Sequence, residues 1–246
     1  MNLFILNNNN HHTSVNDVTT FINYWKGKYY SYTNVSDTVY HYSRDSLMNN
    51  TDIERAVSLI GAWKTNSISC HLQTNNLAFN CPCGRHYYYT GMWKSGTSSA
   101  YDIWSSLPNN LTNHKALLLQ NPKQLINDLQ NLRYNGPTSP KTRFGLIYSI
   151  TYLHFLDSLK YPIFDIFVFR AVNYVFSTTR PQIPYIISND IKDFDRYIKD
   201  FVTNFNLLKN NTNSTSRDLD KALWAFGHYV SDSKKIKKNK KVCCEK

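Results

Sequence analysis

The segment that organises this chain reads GPTSPKTRFGLIYSITYLHFLDSLKYPIFDIFVFRAV and covers residues 136–172. It opens with a turn-like stretch, continues as an apolar run with helical spacing, and is interrupted at Tyr161-Pro162. Proline disfavours a helical conformation for the residue before it, so we expect the chain to be extended there. A second apolar run follows Asp165 directly. The segment therefore predicts two helices, the first over residues 142–156, with one carboxylate at the start of the second.

Helical spacing of apolar residues recurs along most of the chain. Besides the segment above, the ranges that show it are 15–25, 53–60, 122–132, 191–205 and 219–230. The pattern predicts an all-α fold of about eight helices, with a short β insertion as an option within residues 65–97. We expect residues 1–232 to form this domain, as one body or as two helical lobes with a cleft. Residues 233–246 should form a disordered basic tail.

The positive charge of the chain is concentrated at its end. The formal net charge is +11, and Lys234–Lys246 holds seven lysines and one glutamate, so 7 − 1 = +6 lies in the tail and 11 − 6 = +5 remains elsewhere. A lysine run of this kind is typical of a solvated tail, of an electrostatic arm for nucleic acid, or of a nuclear-import signal. The surplus outside the tail is compatible with a polyanionic partner.

Several classes of protein are disfavoured by what the sequence lacks. No run approaches the roughly 20 apolar residues that span a bilayer, and the start, MNLFILNNNN, has only four consecutive apolar residues, too few for a signal peptide. We therefore expect an intracellular protein that does not enter membranes, located in the cytoplasm or, in a eukaryote, the nucleus. The sequence contains no Gly-rich phosphate loop and no Gly-x-Ser-x-Gly elbow, which argues against P-loop nucleotide hydrolases and serine hydrolases.

The cysteines suggest a metal site only weakly. Cys70-His71, Cys81-Pro-Cys83 and His86 fall within seventeen residues. A structural zinc site usually has two pairs of the Cys-x2-Cys type, whereas this stretch offers one Cys-x-Cys. The pattern favours buried or loop thiols, and we expect no metal and no cofactor.

Two short motifs resemble the helix-hairpin-helix-GPD superfamily of DNA glycosylases. In that family a hairpin written Leu-Pro-Gly-Val-Gly-x-Lys-Thr-Ala precedes a helix, and a segment Pro-Val-Asp-Thr-His-Val-x-Arg-Val follows it. Here Lys141-Thr142 is similar to the first motif, and the stretch from Pro162 through Asp165 to Arg170 and Val172 is similar to the second. The likeness covers residues 136–172, and RDLDKALWAFG near the end looks like the terminal helix of related proteins.

The chain departs from the family pattern at four points. The hairpin has one glycine, Gly136, where the family usually has two. Phe167 stands two residues after the acid, where histidine is common. One extra residue separates Pro162 from Asp165, and the 24 residues from Lys141 to Asp165 are a few more than usual.

The resemblance implies a DNA-binding hydrolase of base excision repair, acting as a monomer, that cleaves the N-glycosidic bond of a damaged or modified base. It implies Asp165 as the catalytic carboxylate and Lys141 as the amine of an optional lyase step. A carboxylate stabilises the oxocarbenium character that develops on the sugar, and an unprotonated amine can form a Schiff base. The aromatic residues around Asp165 would supply a pocket for the flipped base. The residues expected to contact DNA are Gly136, Thr138, Ser139, Thr142, Arg143 and Arg170.

The longer spacing between Lys141 and Asp165 is compatible with a shared site. A helix over residues 142–156 would be roughly 22 Å long, and eight extended residues, 157–164, span at most about 26 Å. The chain can therefore return along the helix. On this reckoning the amine and the carboxylate can meet at neighbouring helix N-termini.

Each candidate residue also has a purely structural interpretation. Asp165 can cap a helix, and Lys141 can be a solvated lysine in a first helical turn. Arg170 can pair with a phosphate or with a carboxylate such as Asp157, and His154 fits a hydrogen-bonded helix histidine. Two other functions therefore stay open: a catalytically inactive nucleic-acid-binding protein of the same fold, and a helical protein-interaction module whose basic tail binds RNA or acidic partners.

Overall fold

The computed structural model describes residues 1–31, 37–70, 77–80, 86–96, 99–136, 139–185, 191 and 193–231. Only the main chain is described for Ser31, Met92, Ser99, 133–136 and 139–143. The described residues fall into two compact units. The terminal unit combines residues 1–31 with the described residues within 159–231, and the central unit consists of the described residues within 37–158. The described part is mainly helical, as the sequence predicted, with small antiparallel sheets added.

The terminal unit is a group of helices with one β-hairpin. Strands β1 (Phe4–Leu6) and β2 (His12–Ser14) pair antiparallel. The helices are α1 (Val18–Lys28), α9 (Ile166–Phe176), α10 (Phe194–Arg196), α11 (Thr203–Asn210) and α12 (Ser216–Ser231). A 3-10 turn, Tyr29–Ser31, follows α1, and a π-helical stretch, Tyr197–Val202, joins α10 to α11. Helix α12 packs most extensively against α1 and α9, so it forms the centre of the unit.

The hairpin of the terminal unit is held by aromatic contacts. The Trp25 indole N–H donates to the Phe4 carbonyl oxygen at 2.8 Å. The Phe4 ring makes edge-to-face contacts with Trp25, Tyr174, Phe226 and Tyr229, with ring centroids 5.0 to 6.3 Å apart. Edge-to-face contacts at this spacing are favourable beyond the area they bury. The sequence did not predict this hairpin, because three-residue strands are too short to show alternation.

The central unit contains the remaining elements. Its helices are α2 (Asp37–Asn49), α3 (Ile53–Lys64), α4 (Gly91–Ser95), α5 (Ser99–Ser106), α6 (Leu111–Gln120), α7 (Pro122–Asn131) and α8 (Leu146–Leu156), with a 3-10 turn at Leu107–Asn110. Strands β3 (Ile68–Ser69), β4 (Leu77–Asn80) and β5 (His86–Tyr89) form an antiparallel sheet in the order β3-β5-β4. This sheet is the β insertion anticipated within residues 65–97.

Helix packing in the central unit depends on one glycine of α3. A β-carbon added to Gly61 would collide with the indole rings of Trp93 and Trp104. Both rings are buried, at 3% and 0% exposure. Gly61 therefore allows two tryptophans to pack directly on the main chain of α3.

The structure does not confirm a helix-hairpin-helix element. The main chain of residues 133–136 and 139–143 forms two antiparallel strands, β6 (Arg133–Gly136) and β7 (Ser139–Arg143), with Arg133 opposite Arg143. Helix α8 starts at Leu146, so the expected helix over 142–156 lacks its first four residues. Pro137 and Pro140 provide a reason for strands in place of a helix here, since each favours an extended conformation in the residue before it, Gly136 and Ser139.

Candidate active site at the start of helix α9

Asp165 is the N-cap of α9. Its backbone is extended, at φ −142° and ψ 151°, and its Oδ1 accepts a hydrogen bond from the Phe167 N–H at 2.9 Å. The side chain is half-buried. This confirms the structural interpretation of Asp165, because a capping carboxylate satisfies an N–H group that the helix leaves unpaired. A negative charge is also favourable at a helix N-terminus.

Most aromatic residues near Asp165 in the sequence belong to the core. Phe164 and Phe169 are 1% and 2% exposed, and their rings pack on Phe201 with centroids 5.3 and 6.4 Å apart. The Tyr197 hydroxyl donates to the Pro162 carbonyl oxygen at 2.7 Å. The expectation that these rings form a base pocket is therefore wrong for Phe164 and Phe169, since buried faces cannot receive a ligand.

Phe167 is the exception, and it contacts two residues of α12. Its ring stacks on the His228 imidazole, with centroids 3.5 Å apart and planes inclined by 19°. Trp224 lies edge-on to both rings, with centroids 6.4 Å from Phe167 and 4.2 Å from His228. All three side chains are half-buried. The sequence alone pointed to neither Trp224 nor His228, although their i, i+4 spacing was an available signal.

Arg170 lies one helical turn beyond Phe167. Its Nη1 donates to the Ser231 Oγ at 3.1 Å, and its guanidinium carbon is 5.6 Å from the centre of the Phe167 ring. Among the described residues of the terminal unit it forms no ion pair with a carboxylate. Asp157 belongs to the central unit, so both partners that the sequence left open for Arg170, a phosphate and Asp157, stay predictions.

Helix α12 also carries two cations that contact tyrosine rings. The Arg217 guanidinium carbon is 5.4 Å from the centre of the Tyr29 ring, and the Lys221 Nζ is 5.8 Å from the ring centres of both Tyr29 and Tyr30. Arg217 also pairs with Asp220, and both side chains are largely buried, at 10% and 8% exposure. An ion pair shielded from water to this degree is costly to break, because one charge would be left without compensation. These contacts fix the first half of α12.

Most residues of the predicted hairpin lie beyond what the structure describes. Thr138 is outside the described residues. Lys141, Ser139, Thr142 and Arg143 have described main-chain positions in β7, but their side chains are outside the described part. Gly136 ends β6 opposite Ser139. Lys141 lies in β7, five residues before α8 begins, so the expectation that it stands at a helix N-terminus is wrong. The meeting of Lys141 and Asp165 stays a prediction.

A groove opens where α8 begins. Its volume is about 500 Å3, and its lining comprises the amide side chains of Gln124, Asn127, Gln130 and Asn131 with Phe144 and Gly145. Amides both donate and accept hydrogen bonds, so this surface is polar and uncharged. The sequence pattern predicted DNA contact for the hairpin before α8 and did not indicate these amides.

Most of the cysteine and histidine residues considered as metal ligands lie outside the described part of the structure. His71, Cys81 and Cys83 lie outside the described residues, and Cys70 is half-buried. His86 Nδ1 is 2.7 Å from the Asn80 Oδ1. Within the described ranges no three His, Cys, Asp or Glu side chains are grouped as metal ligands.

Among the described residues no helix has the length and apolar character needed to cross a bilayer.

In comparisons with known proteins, no family model, no curated protein and no solved structure matched this chain.

Proposed function

We propose that this protein binds DNA and removes a damaged or modified base by cleaving its N-glycosidic bond, with Asp165 as the catalytic carboxylate. The observation that carries the proposal is the position of Asp165, a half-buried carboxylate held at the start of α9 by a hydrogen bond from Phe167. A charge fixed before the reaction begins stabilises a developing opposite charge more effectively than a mobile one does.

The proposed reaction is a hydrolysis. The bond between C1′ and the base nitrogen breaks, and its electron pair leaves with the base. The positive charge that develops on the sugar ring is stabilised by Asp165. Water adds to C1′; one of its protons ends on the departing base, and the hydroxyl stays on the sugar.

A lyase step would use Lys141 in place of water. The unprotonated amine attacks C1′ as the base leaves, and ring opening gives a Schiff base between lysine and sugar. Reduction with borohydride would trap this intermediate as a covalent protein–DNA adduct. Trapping in the wild type and its loss in Lys141→Gln would support the step, whereas base release without trapping would leave water as the nucleophile.

DNA binding is supported by charge and by Arg170. The chain carries a net charge of +11, and the Arg170 guanidinium lies beside the α9 N-terminal region without a carboxylate partner among the described residues of its own unit. We include Gly136, Thr138, Ser139, Thr142 and Arg143 in the proposed interface. Contacts between cations and phosphates make affinity fall steeply as salt rises.

A nucleic-acid-binding protein without catalysis is the second candidate. Two observations favour it: strands β6 and β7 stand where the glycosylases have a helical hairpin, and the cap bond alone gives Asp165 a structural role. This candidate predicts salt-dependent DNA binding with no released base.

An oligonucleotide panel separates the two candidates. Duplexes that each carry one oxidised, deaminated or alkylated base are incubated with the protein, and alkali then cleaves any abasic site. Strand scission at one lesion supports the enzyme. Binding of every duplex with no scission supports the binding protein and contradicts the glycosylase proposal.

A further inference from the structure

A second concave site lies in the central unit and shares no residue with the site around Asp165. It has a volume of about 290 Å3 and is bordered by α3, β4, β5 and α5. Its lining includes Glu54, Arg55, Ser58, Leu77, Tyr89 and Tyr101. The volume suits a single small molecule and is too small for an oligosaccharide or a folded peptide.

Two tyrosine rings at this pocket are fixed by one tryptophan. Trp93 stacks on Tyr89 with centroids 5.9 Å apart and meets Tyr101 edge-on at 5.3 Å. Trp93 itself is buried against Gly61. Leu77, also in the lining, is 49% exposed although it is apolar. Rigid aromatic and aliphatic walls of this kind favour a flat, apolar-faced ligand, because little conformational freedom is lost on binding.

The mouth of the pocket places an acceptor beside a donor. Glu54 and Arg55 are consecutive residues in the first turn of α3. Arg55 is held by Asp52, with Nη1 and Oδ2 3.3 Å apart. Glu54 forms no hydrogen bond or ion pair with any described residue. An exposed carboxylate in the lining argues against a phosphate or another anion as the ligand.

A third polar group lies on the α3 side. The Tyr89 hydroxyl donates to the Ser58 Oγ at 2.9 Å. Burial raises the pKa of Tyr89 above its ordinary value, so the phenol keeps its proton and remains a donor. Because Ser58 accepts this bond, its own proton can be directed toward a ligand acceptor.

We infer that this pocket binds a nucleobase or nucleoside that has a lactam edge, namely a ring N–H next to a ring carbonyl, as in guanine, hypoxanthine and uracil. Glu54 accepts from the ring N–H, and Arg55 donates to the carbonyl oxygen. The ring lies against Tyr101, as bases lie on aromatic side chains in other nucleic-acid-binding proteins. Adenine has no ring N–H beside a carbonyl, so it cannot satisfy Glu54 and Arg55 together. The inference does not depend on Asp165.

Calorimetric titration of the full-length protein with guanosine, inosine, uridine and adenosine tests the inference. We expect guanosine and inosine to bind at least about tenfold more tightly than adenosine, since a hydrogen bond to a charged group contributes about 1.4 kcal/mol or more. Glu54→Gln should reduce guanosine affinity by about the same factor and leave adenosine affinity unchanged. Tyr101→Leu should weaken binding of all four.

Asp45→Asn is the matched control, because Asp45 is an exposed carboxylate of the same unit that pairs with Arg44 and does not line the pocket. It should leave every affinity unchanged. Glu54 is exposed, so Glu54→Gln should fold normally, and a circular dichroism spectrum checks this. Failure of all four nucleosides to bind at millimolar concentration overturns the inference, as does equal binding of guanosine and adenosine or a Glu54→Gln variant with full guanosine affinity.

Discussion

Gly227 of α12 packs directly against the main chain of Phe167 on α9. A β-carbon at residue 227 would overlap the Phe167 carbonyl oxygen, so only glycine allows the two helices to approach this closely. The contact brings His228, the next residue of α12, onto the Phe167 ring two residues after Asp165. The helix crossing thus fixes the surroundings of the proposed catalytic carboxylate.

Gly227→Ala should destabilise the protein by about 1–3 kcal/mol, because the added methyl group forces the helices apart. Urea unfolding monitored by circular dichroism measures the change. Gly27→Ala is the control: Gly27 lies in α1 of the same unit with nothing within 4 Å of an added β-carbon. We expect that variant to be unchanged or up to about 1 kcal/mol more stable, since alanine favours helix. Equal losses in the two variants would contradict the packing argument.

Asp165→Ala should lower the unfolding free energy by about 0.5–2 kcal/mol through loss of the cap, whereas Asp165→Asn should lower it by only a few tenths. Asparagine caps helices as well as aspartate does, because its side-chain oxygen accepts the same hydrogen bond. Thermal unfolding of both variants at equal protein concentration measures the difference. A large loss in Asp165→Asn would show that the charge itself stabilises the fold.

The stability should decline as the pH falls below about 6.5. Burial is the main cause that lowers the pKa of His114, opposed by the Asp128 carboxylate, and burial followed by Arg180 lowers the pKa of His12. A lowered pKa in the folded state means that the unfolded chain takes up protons first as the pH falls, so stability is complete above the ordinary value of 6.5 and is lost below it.

Melting temperatures between about pH 8 and about pH 5 check this sign. In His114→Gln the decline should be shallower, because glutamine cannot titrate yet can still bond the Tyr152 hydroxyl, which lies 3.1 Å from His114 Nδ1. A decline as steep as that of the wild type would show that His114 does not contribute to it.

Arg170→Gln should weaken DNA binding by a similar factor for every sequence. It should also reduce the slope of log affinity against log salt concentration by about 1, as expected for the loss of one phosphate contact. Fluorescence anisotropy with labelled duplexes at several salt concentrations measures both. Arg196→Gln is the matched control, since Arg196 belongs to the same unit and pairs with Asp200 at 3.2 Å. An unchanged slope in Arg170→Gln would remove Arg170 from the interface.

The sequence predicted the helices in which apolar residues recur regularly at helical spacing. Helices α3, α7, α9 and α12 lie within a few residues of the expected positions, and Pro122 begins α7 as anticipated. Helix α2 was missed because its buried face includes Ser43 and Ser46, which break the apolar pattern. The range 191–205 was predicted as one helix, but it contains a π-helical stretch, whose register apolar spacing does not show.

The sequence predicted the part of the site that depends on neighbouring residues in the chain, and not the contacts between residues far apart in it. The capping position of Asp165 follows from its place before an apolar run. The stacking of His228 on Phe167 joins residues 61 positions apart, and no periodicity indicates which rings face each other over that distance. Gly227 did offer a signal, since a glycine within a helix costs about 1 kcal/mol relative to alanine and usually marks close packing.

The central claim is that the charge of Asp165 acts on the sugar in addition to capping α9. The most direct measurement compares base release by the wild type and by Asp165→Asn on the oligonucleotide that the wild type processes, with Asp17→Asn, another capping aspartate of the same unit, as the control. We predict that Asp165→Asn loses about a hundredfold or more in rate, while its melting temperature and DNA affinity stay near those of the wild type and Asp17→Asn stays fully active. Base release at the wild-type rate by a folded Asp165→Asn protein would contradict the account.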